Sequence, residues 1–307
     1  MDVINEIKKQ FKSGNIIMQL IIINVAVFVI INIFALIFFL FNIGGANGFV
    51  LIDWLAVPAS LKILMYRPWT LISYMFTHQG FMHILFNMLW LFWFGKIFLE
   101  FLDRKKLLSV YLLGGISGAV LYILAYNIFP AFEPWIEASN AIGASASVYA
   151  IVVAISAYAP NYEINLLLIG RIKIKYIALF VLAIDLLSIP QGNAGGHISH
   201  LGGALFGYLF AVQLKNKRDI SAGFSSFIES IAAMFSSKPK MTVKSNKYTK
   251  KSASSDIKEK GASDIEFNKR KATEQEIIDK ILEKISKSGY ESLSKSEKET
   301  LFKASKK

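Results

Sequence analysis

The chain contains no cysteine. Disulfides, thiolate metal sites and a cysteine nucleophile are therefore excluded, although that absence does not fix the compartment. Proline is scarce, at 7 of 307 residues, and only 18% of residues carry charge. Charge is scarcest in one long region: from Ile16 to about Leu214 the sequence is apolar almost without interruption, whereas from Lys215 onward it is rich in Lys, Ser and Glu. Hydrophobic residues make up 54% of the chain and mean hydropathy is +0.45, too apolar for a water-soluble domain of this length. This is the composition of a membrane protein with a polar tail. The formal net charge of +12 sits mostly in that tail and in short loops, where it orients the chain and attracts anionic lipid. Nucleic acid is not expected as a partner, and no metal or cofactor is expected.

Lys8, Lys9 and Lys12 precede an apolar run from Ile16 to about Phe41, long enough to cross a hydrocarbon core of about 30 Å. No small-residue cleavage site follows it, so it is expected to persist as a first span after a cytosolic N-terminus, 1–15. Residues 42–78 mix Gly44, Gly45, Pro58 and Pro68 with Trp54 and Trp69, which predicts an interfacial loop with its aromatics at headgroup level. Further spans are expected at about Gln79–Leu99, Leu107–Asn127, Gly143–Tyr158, Tyr176–Ile189 and Ile198–Leu214, with Gln191 to Gly196 as the last loop. The span at Gly143–Tyr158 is short, so its N-terminus is expected to begin below the membrane surface. The fold expected over 16–214 is an all-α bundle of six transmembrane helices.

Basic residues orient it. Lys8, Lys9, Lys12, Lys96, Arg104 to Lys106, Arg171, Lys173, Lys175, Lys215, Lys217 and Arg218 fall on one side of this topology, against Lys62 and Arg67 on the other. Both termini are then cytoplasmic, in what is expected to be a bacterial cytoplasmic membrane. The loops before Ser145 and before His200 both open on the extracytoplasmic side, at similar depth.

Beyond the spans, Phe224, Phe227, Ile228, Ile231 and Phe235 recur at helical spacing, so 215–235 is an amphipathic juxtamembrane segment, either lying on the inner leaflet or packing as a helix. Residues 236–272 are Lys- and Ser-rich and read as a disordered linker. Over 273–307, Thr273 with Glu276 and Ser294 with Glu297 each match a capping box, and Gly289 lies between the two segments. This predicts a small helical hairpin, too small to be stable without a cytosolic partner surface.

Ionisable groups inside spans are costly and mark function by default, although a histidine in a bundle can equally serve as a hydrogen-bonded link between helices. Here they form a set. Ser145 starts a helix, His197 and His200 lead into a glycine-rich helix, and His83 and Asn87 lie one turn apart on one face. Acyl transfer needs a nucleophile, a base and donors for an oxyanion, and Ser145, His200, and the Ser145 N–H with Asn87 and His83 can fill those roles. Gly203 and Gly207 would let their helix approach that of Ser145 closely. Asp185, toward the extracytoplasmic end of the fifth span, could orient a histidine, but with no obvious acid beside His200 the preferred reading is a serine–histidine pair.

At this point the chain resembles the rhomboid intramembrane serine proteases, over roughly residues 60–214. Gly143-Ala144-Ser145-Ala146 is similar to that family's Gly-x-Ser-x nucleophile motif, and Tyr149 matches the tyrosine that packs on its catalytic histidine. His200-Leu201-Gly202-Gly203, followed by Gly207, resembles its histidine helix, which makes His200 rather than His197 the base. His83 to Asn87 fits its His-x-x-x-Asn signature, and His78 matches a histidine often seen before it. The chain departs from the pattern at Ala146, where glycine is common, and at Thr70, which follows Trp69 in place of an arginine, with Arg67 two residues before that tryptophan. The resemblance implies cleavage of transmembrane protein substrates within or near their membrane helix. The alternative is a catalytically silent relative that binds membrane clients. A transporter would predict internal repeats, and none is visible in the sequence.

Overall fold

The computed structural model describes residues 15–43, 50–166 and 170–234, with isolated positions between 281 and 301. It divides into two compact units, Met1–Lys238 and Pro239–Lys307. The expected linker at 236–272 and the capping pair Thr273–Glu276 lie outside the described residues, as does the N-terminal 1–14.

Helix α1, Ile16–Leu40, begins where the Asn15 side chain accepts the N–H groups of Ile17 and Met18, at 3.2 and 3.4 Å. Most of its apolar surface is left outward, as suits a helix whose solvent is lipid. One polar link ties it inward: buried Asn24 donates Nδ2–H to the Tyr111 hydroxyl at 3.2 Å, and that hydroxyl donates to the Met75 carbonyl at 2.9 Å.

The region expected as a loop is folded. It contains α2 (Val50–Leu55), β1 (Val57–Pro58), α3 (Leu61–Tyr66), α4 (Thr70–Ser73) and a 3-10 turn at Tyr74–Phe76. Trp54 and Trp69 stack with ring centroids 6.0 Å apart, the Trp69 indole N–H donates to the Trp54 carbonyl at 2.8 Å, and the Arg67 guanidinium lies 4.4 Å above the Trp54 ring. Arg67 Nη1 also donates to the Asp53 carbonyl at 3.0 Å. Arg67 thus strings the loop together, with Trp54 as its platform. Strand β1 pairs antiparallel with β2 (Asn140–Ala141), Val57 opposite Ala141, which ties this loop to the segment leading into Ser145.

Four long helices follow the turn: α5 (Phe81–Phe101), α6 (Arg104–Ile128), α8 (Ile174–Ser188) and α9 (Ala194–Lys215), with the shorter α7 (Ser145–Tyr158) between α6 and α8. Asp103 caps α6 by accepting the N–H groups of Lys105 and Lys106. A hairpin, β3 (Glu163–Leu166) and β4 (Gly170–Lys173), carries Arg171 and Lys173 where the sequence predicts only a basic loop. Helix α9 begins about a turn earlier than expected, so Gly195 and Gly196 are helical rather than loop.

Helix α7 is the buried axis, packed by α5, α6, α8 and α9. Its neighbours approach through glycines. A Cβ at Gly203 would meet the Ala146 carbonyl oxygen at 2.0 Å, and one at Gly207 the Ala150 oxygen at 2.2 Å. On α6 a Cβ at Gly118 would stand 2.6 Å from the Ala146 methyl and 2.7 Å from the Ser199 carbonyl oxygen of α9. The alanine that departs from the family motif is therefore accommodated by a glycine on α6.

Among the described residues four helices can cross a membrane by length and hydropathy: α1, α5, α6, and α8 extended through its 3-10 turn to Gln191. Of the other two expected spans, α7 has 14 residues and α9 has 22. Asn15, Lys96, Glu100 and Arg104 line one groove, so the start of α1 and the α5–α6 turn share one end of the bundle. Helix α10 (Ala222–Met234) packs at that end, through Ser109 to Ser225 at 2.8 Å and an ion pair of Lys105 with Glu229. The helix thus contacts the bundle, while Phe227, Ile231 and Met234 remain exposed, as either alternative for this segment allows. In the second unit, the Ser294–Glu297 capping box is formed: the Ser294 N–H donates to Glu297 Oε2 at 2.7 Å, and the Glu297 N–H to Ser294 Oγ at 3.3 Å.

Candidate active site at the mouth of helix α7

Ser145 is the first residue of α7, at the bundle end opposite the basic groove, and its start is shaped by Gly143. Gly143 has φ +123°, a conformation that disfavours any side chain, and a Cβ there would lie 2.8 Å from His83 Nε2. The Gly143 N–H donates to the Tyr74 carbonyl at 2.9 Å, and the Ala144 N–H to His78 Nε2 at 3.3 Å. The two residues before the serine are thus held by the segment between α4 and α5. The N–H groups of the first turn of α7, including that of Ser145, have no carbonyl four residues back within the helix and point toward the site.

Close contact of α9 with α7 brings His200 to the serine: Nε2 lies 2.7 Å from Ser145 Oγ. The Tyr149 ring, one turn into α7, stacks on the His200 ring with centroids 4.5 Å apart and planes 13° from parallel. Ser147, the neighbouring candidate, is fully buried, and its hydroxyl points to the Met75 sulfur at 3.8 Å.

His83 reaches the site from α5, its ring against Gly143 and 5.0 Å from that of His78. Asn87 lies one turn deeper and donates one Nδ2 hydrogen to the His83 carbonyl at 2.8 Å, which leaves its second amide hydrogen for another acceptor. Of the residues singled out in the sequence, Ser145, His200, Tyr149, Gly143 and His83 converge directly. Asn87 borders the cluster, and Gly203 and Gly207 act through helix approach.

The expectation that no acid stands beside His200 is overturned. Asp185 on α8 is 3% exposed, and its Oδ1 lies 3.0 Å from His200 Nδ1 and 2.6 Å from His197 Nδ1. Helices α8 and α9 run antiparallel about the turn at Ile189–Asn193, so residues 185 and 200 lie at matching depth. That symmetry about the Pro190–Gly192 breaker was the available sequence signal. A lone carboxylate at that depth would be costly, and two histidines one turn apart on α9 partner it. The donor atoms of Asp185, His197 and His200 lie within 4.8 Å of one another, a spacing that a divalent cation could also bridge; here they are engaged with each other.

Two segments of the chain match known families. Residues 263–307 match a family of unknown function. The chain is 29% identical over 147 residues to RHOMBOID-like protein 12, mitochondrial, of Arabidopsis thaliana, covering 45% of this chain and 44% of that protein. It is 26% identical over 135 residues to Presenilin-associated rhomboid-like protein A, mitochondrial, of Danio rerio, covering 43% and 34%. With Rhomboid-like protein 17, chloroplastic, of Arabidopsis thaliana it shares 25% identity over 194 residues, covering 55% and 60%. The chain thus spans only about a third to three fifths of the length of these relatives. Residues 66–217, which hold every side chain of the cluster, match the rhomboid domain, and the chain belongs to the rhomboid family.

Proposed function

We propose that the chain is an intramembrane serine endopeptidase that cleaves single-span membrane proteins in or near their transmembrane helix. The observation that carries this reading is the 2.7 Å contact of His200 Nε2 with Ser145 Oγ at the mouth of α7. His200 takes the hydroxyl proton as Oγ bonds to the scissile carbonyl carbon, whose oxygen becomes an oxyanion. The Ser145 N–H, His83 and the free Asn87 amide hydrogen donate to that oxygen, aided by the positive end of the α7 dipole. His200 then returns the proton to the departing amide nitrogen, leaving an acyl-serine that water hydrolyses by the reverse sequence. Substrate helices must open locally to present a carbonyl, so small or helix-breaking residues are expected at the cut.

In this reading α7 and α9 complete six spans and the site faces the side opposite the basic clusters. The charge bias sets the side of the membrane and not the organism or organelle, and the relatives carry mitochondrial and chloroplastic names. The tail, 239–307, is a separate cytosolic unit.

The test is cleavage of a purified single-span substrate by the purified protein, beside Ser145→Ala and His200→Ala. Both variants are expected to lose cleavage. Undiminished cleavage by either would exclude the pair, and an inactive wild-type protein that still binds substrate would favour the client-binding alternative.

A further inference from the structure

We propose that Asp185 is a positioning residue that makes the serine–histidine pair of this chain a relay of three groups, and that His197 holds Asp185 in place by sharing the same oxygen. The inference rests on the peptidase reading above. Its observations are separate from those that carried that reading: a buried carboxylate on α8, and two imidazoles on α9 that converge on its Oδ1.

The geometry fixes the proton positions. An aspartate oxygen that touches two ring nitrogens can only accept, so each Nδ1 carries its hydrogen toward Oδ1. For His200 this leaves Nε2 bare, as it must be to receive the Ser145 proton. Without the acceptor, the imidazole could equally carry its hydrogen on Nε2, facing the serine as a donor and unable to act as a base. When Nε2 takes the proton, His200 becomes an imidazolium whose charge lies beside a buried carboxylate rather than in an apolar bundle. No proton need pass to Asp185, and the Nδ1 hydrogen stays on His200 throughout.

The groups around the relay come from three helices. Helix α8 supplies Asp185, α9 supplies His197 and His200, and α7 supplies Tyr149, whose ring stacks on His200 and whose hydroxyl lies near the carboxylate. His197 and His200 are half-buried, with side chains 20% and 16% exposed, while that of Asp185 is 4% exposed. Both ring nitrogens that meet Oδ1 therefore come from α9. His197, at 2.6 Å, is the closer of the two and stands nearer the turn. It anchors Oδ1 so that the 3.0 Å contact with His200 keeps its direction through the cycle.

The test uses the full-length protein in lipid, with Asp185→Asn and Asp185→Glu beside Ser145→Ala. An asparagine keeps the volume but can turn its NH2 toward Nδ1 and select the wrong tautomer. Asp185→Asn is expected to lower kcat about a hundredfold or more with KM little changed, and Asp185→Glu to recover at least tenfold of that loss. Equal kcat in wild type and Asp185→Asn, while Ser145→Ala is dead, would overturn the relay and leave the peptidase standing. Should Asp185→Asn fail to fold, the wild-type protein still decides. Its 15N-histidine spectrum is expected to show His200 protonated at Nδ1 with a far-downfield proton, absent in His200→Ala. A His200 that carries its hydrogen on Nε2 would overturn the proposal whether or not any substrate is cleaved.

Discussion

Gly203 faces the Ala146 carbonyl so closely that a Cβ on it would stand 2.0 Å from that oxygen. The obstructing atom is backbone at the start of α7, next to Ser145, and cannot swing aside. Gly203→Ala must push α9 off α7 beside the 2.7 Å contact of His200 with the serine. The expected outcome is at least a tenfold loss of cleavage together with a lower melting temperature. Gly207→Ala, a turn farther along, meets Ala150 oxygen at 2.2 Å and should cost similar stability with a smaller loss of rate. Thermal unfolding and kcat measured on both variants check the pattern.

Ser147 presents its hydroxyl to the Met75 sulfur inside the bundle, away from His200. Ser147→Ala is expected to keep cleavage within about twofold, the surface-free hydroxyl contributing little by itself. Labelling with a fluorophosphonate distinguishes the serines: the probe should modify wild type and Ser147→Ala, and fail on Ser145→Ala. Loss of labelling in Ser147→Ala would mean that the nucleophile has been misassigned.

The Tyr149 ring supports His200 face to face. Stacked aromatic pairs contribute about 0.5–1.5 kcal/mol beyond area, which corresponds to a few-fold to tenfold in rate if the support is needed in the transition state. Tyr149→Phe should remain close to wild type in kcat, and Tyr149→Leu should fall by that factor. Equal rates for the two would remove the stacking role.

Arg67 lies over the Trp54 ring and donates to the Asp53 carbonyl. A lysine keeps the charge but not the planar fork, so Arg67→Lys should lie between wild type and Arg67→Ala in melting temperature. Because β1 pairs with β2 just before Gly143, both variants should also slow cleavage, by less than Gly203→Ala does. An unchanged rate in Arg67→Ala would mean that the loop is not coupled to the nucleophile.

In the second unit Lys284 holds the Glu297 carboxyl down, to about 2, helped by the Ser294 N–H. A depressed carboxyl stabilises the folded form above its unfolded value of about 4.5 and loses that contribution as pH falls toward 2. Protection of the Ser294 amide, corrected for intrinsic exchange, should therefore be flat from pH 7 to 5 and decline below about 4.5. Glu297→Gln should exchange faster already at pH 7. Identical profiles for the two chains would show that the box contributes nothing.

Much of the site was legible because membrane helices carry few polar residues, and each one left in them is conspicuous. Ser145, His200, His83 and Asn87 stood out for that reason, and the alternation of basic loops put the serine and His200 on one face. Asp185 is equally conspicuous, but its partner depends on where the α8–α9 turn begins, which the glycines there obscure. Gly195 and Gly196 suggest a loop there, whereas α9 starts at Ala194 and Gly195 lies tight against α6, where a Cβ would stand 2.7 Å from the Tyr122 ring. Two-residue strands such as β1 and β2 have no periodicity to read. The Arg67–Trp54 contact spans 13 positions with no pattern between them, so only the folded chain brings it together.

Helix α7 has 14 residues and rises about 21 Å, against a hydrocarbon thickness of about 30 Å. Its neighbours α5 and α6 are longer and bridge the difference. In the six-span peptidase reading the serine is set at a depth fixed by its own short helix rather than by the membrane around it, and lipid chain length becomes a variable of the chemistry. Reconstituted in bilayers of increasing acyl length, the same protein should hydrolyse progressively more slowly, because water and the opened substrate must reach a floor that sinks as the surface rises.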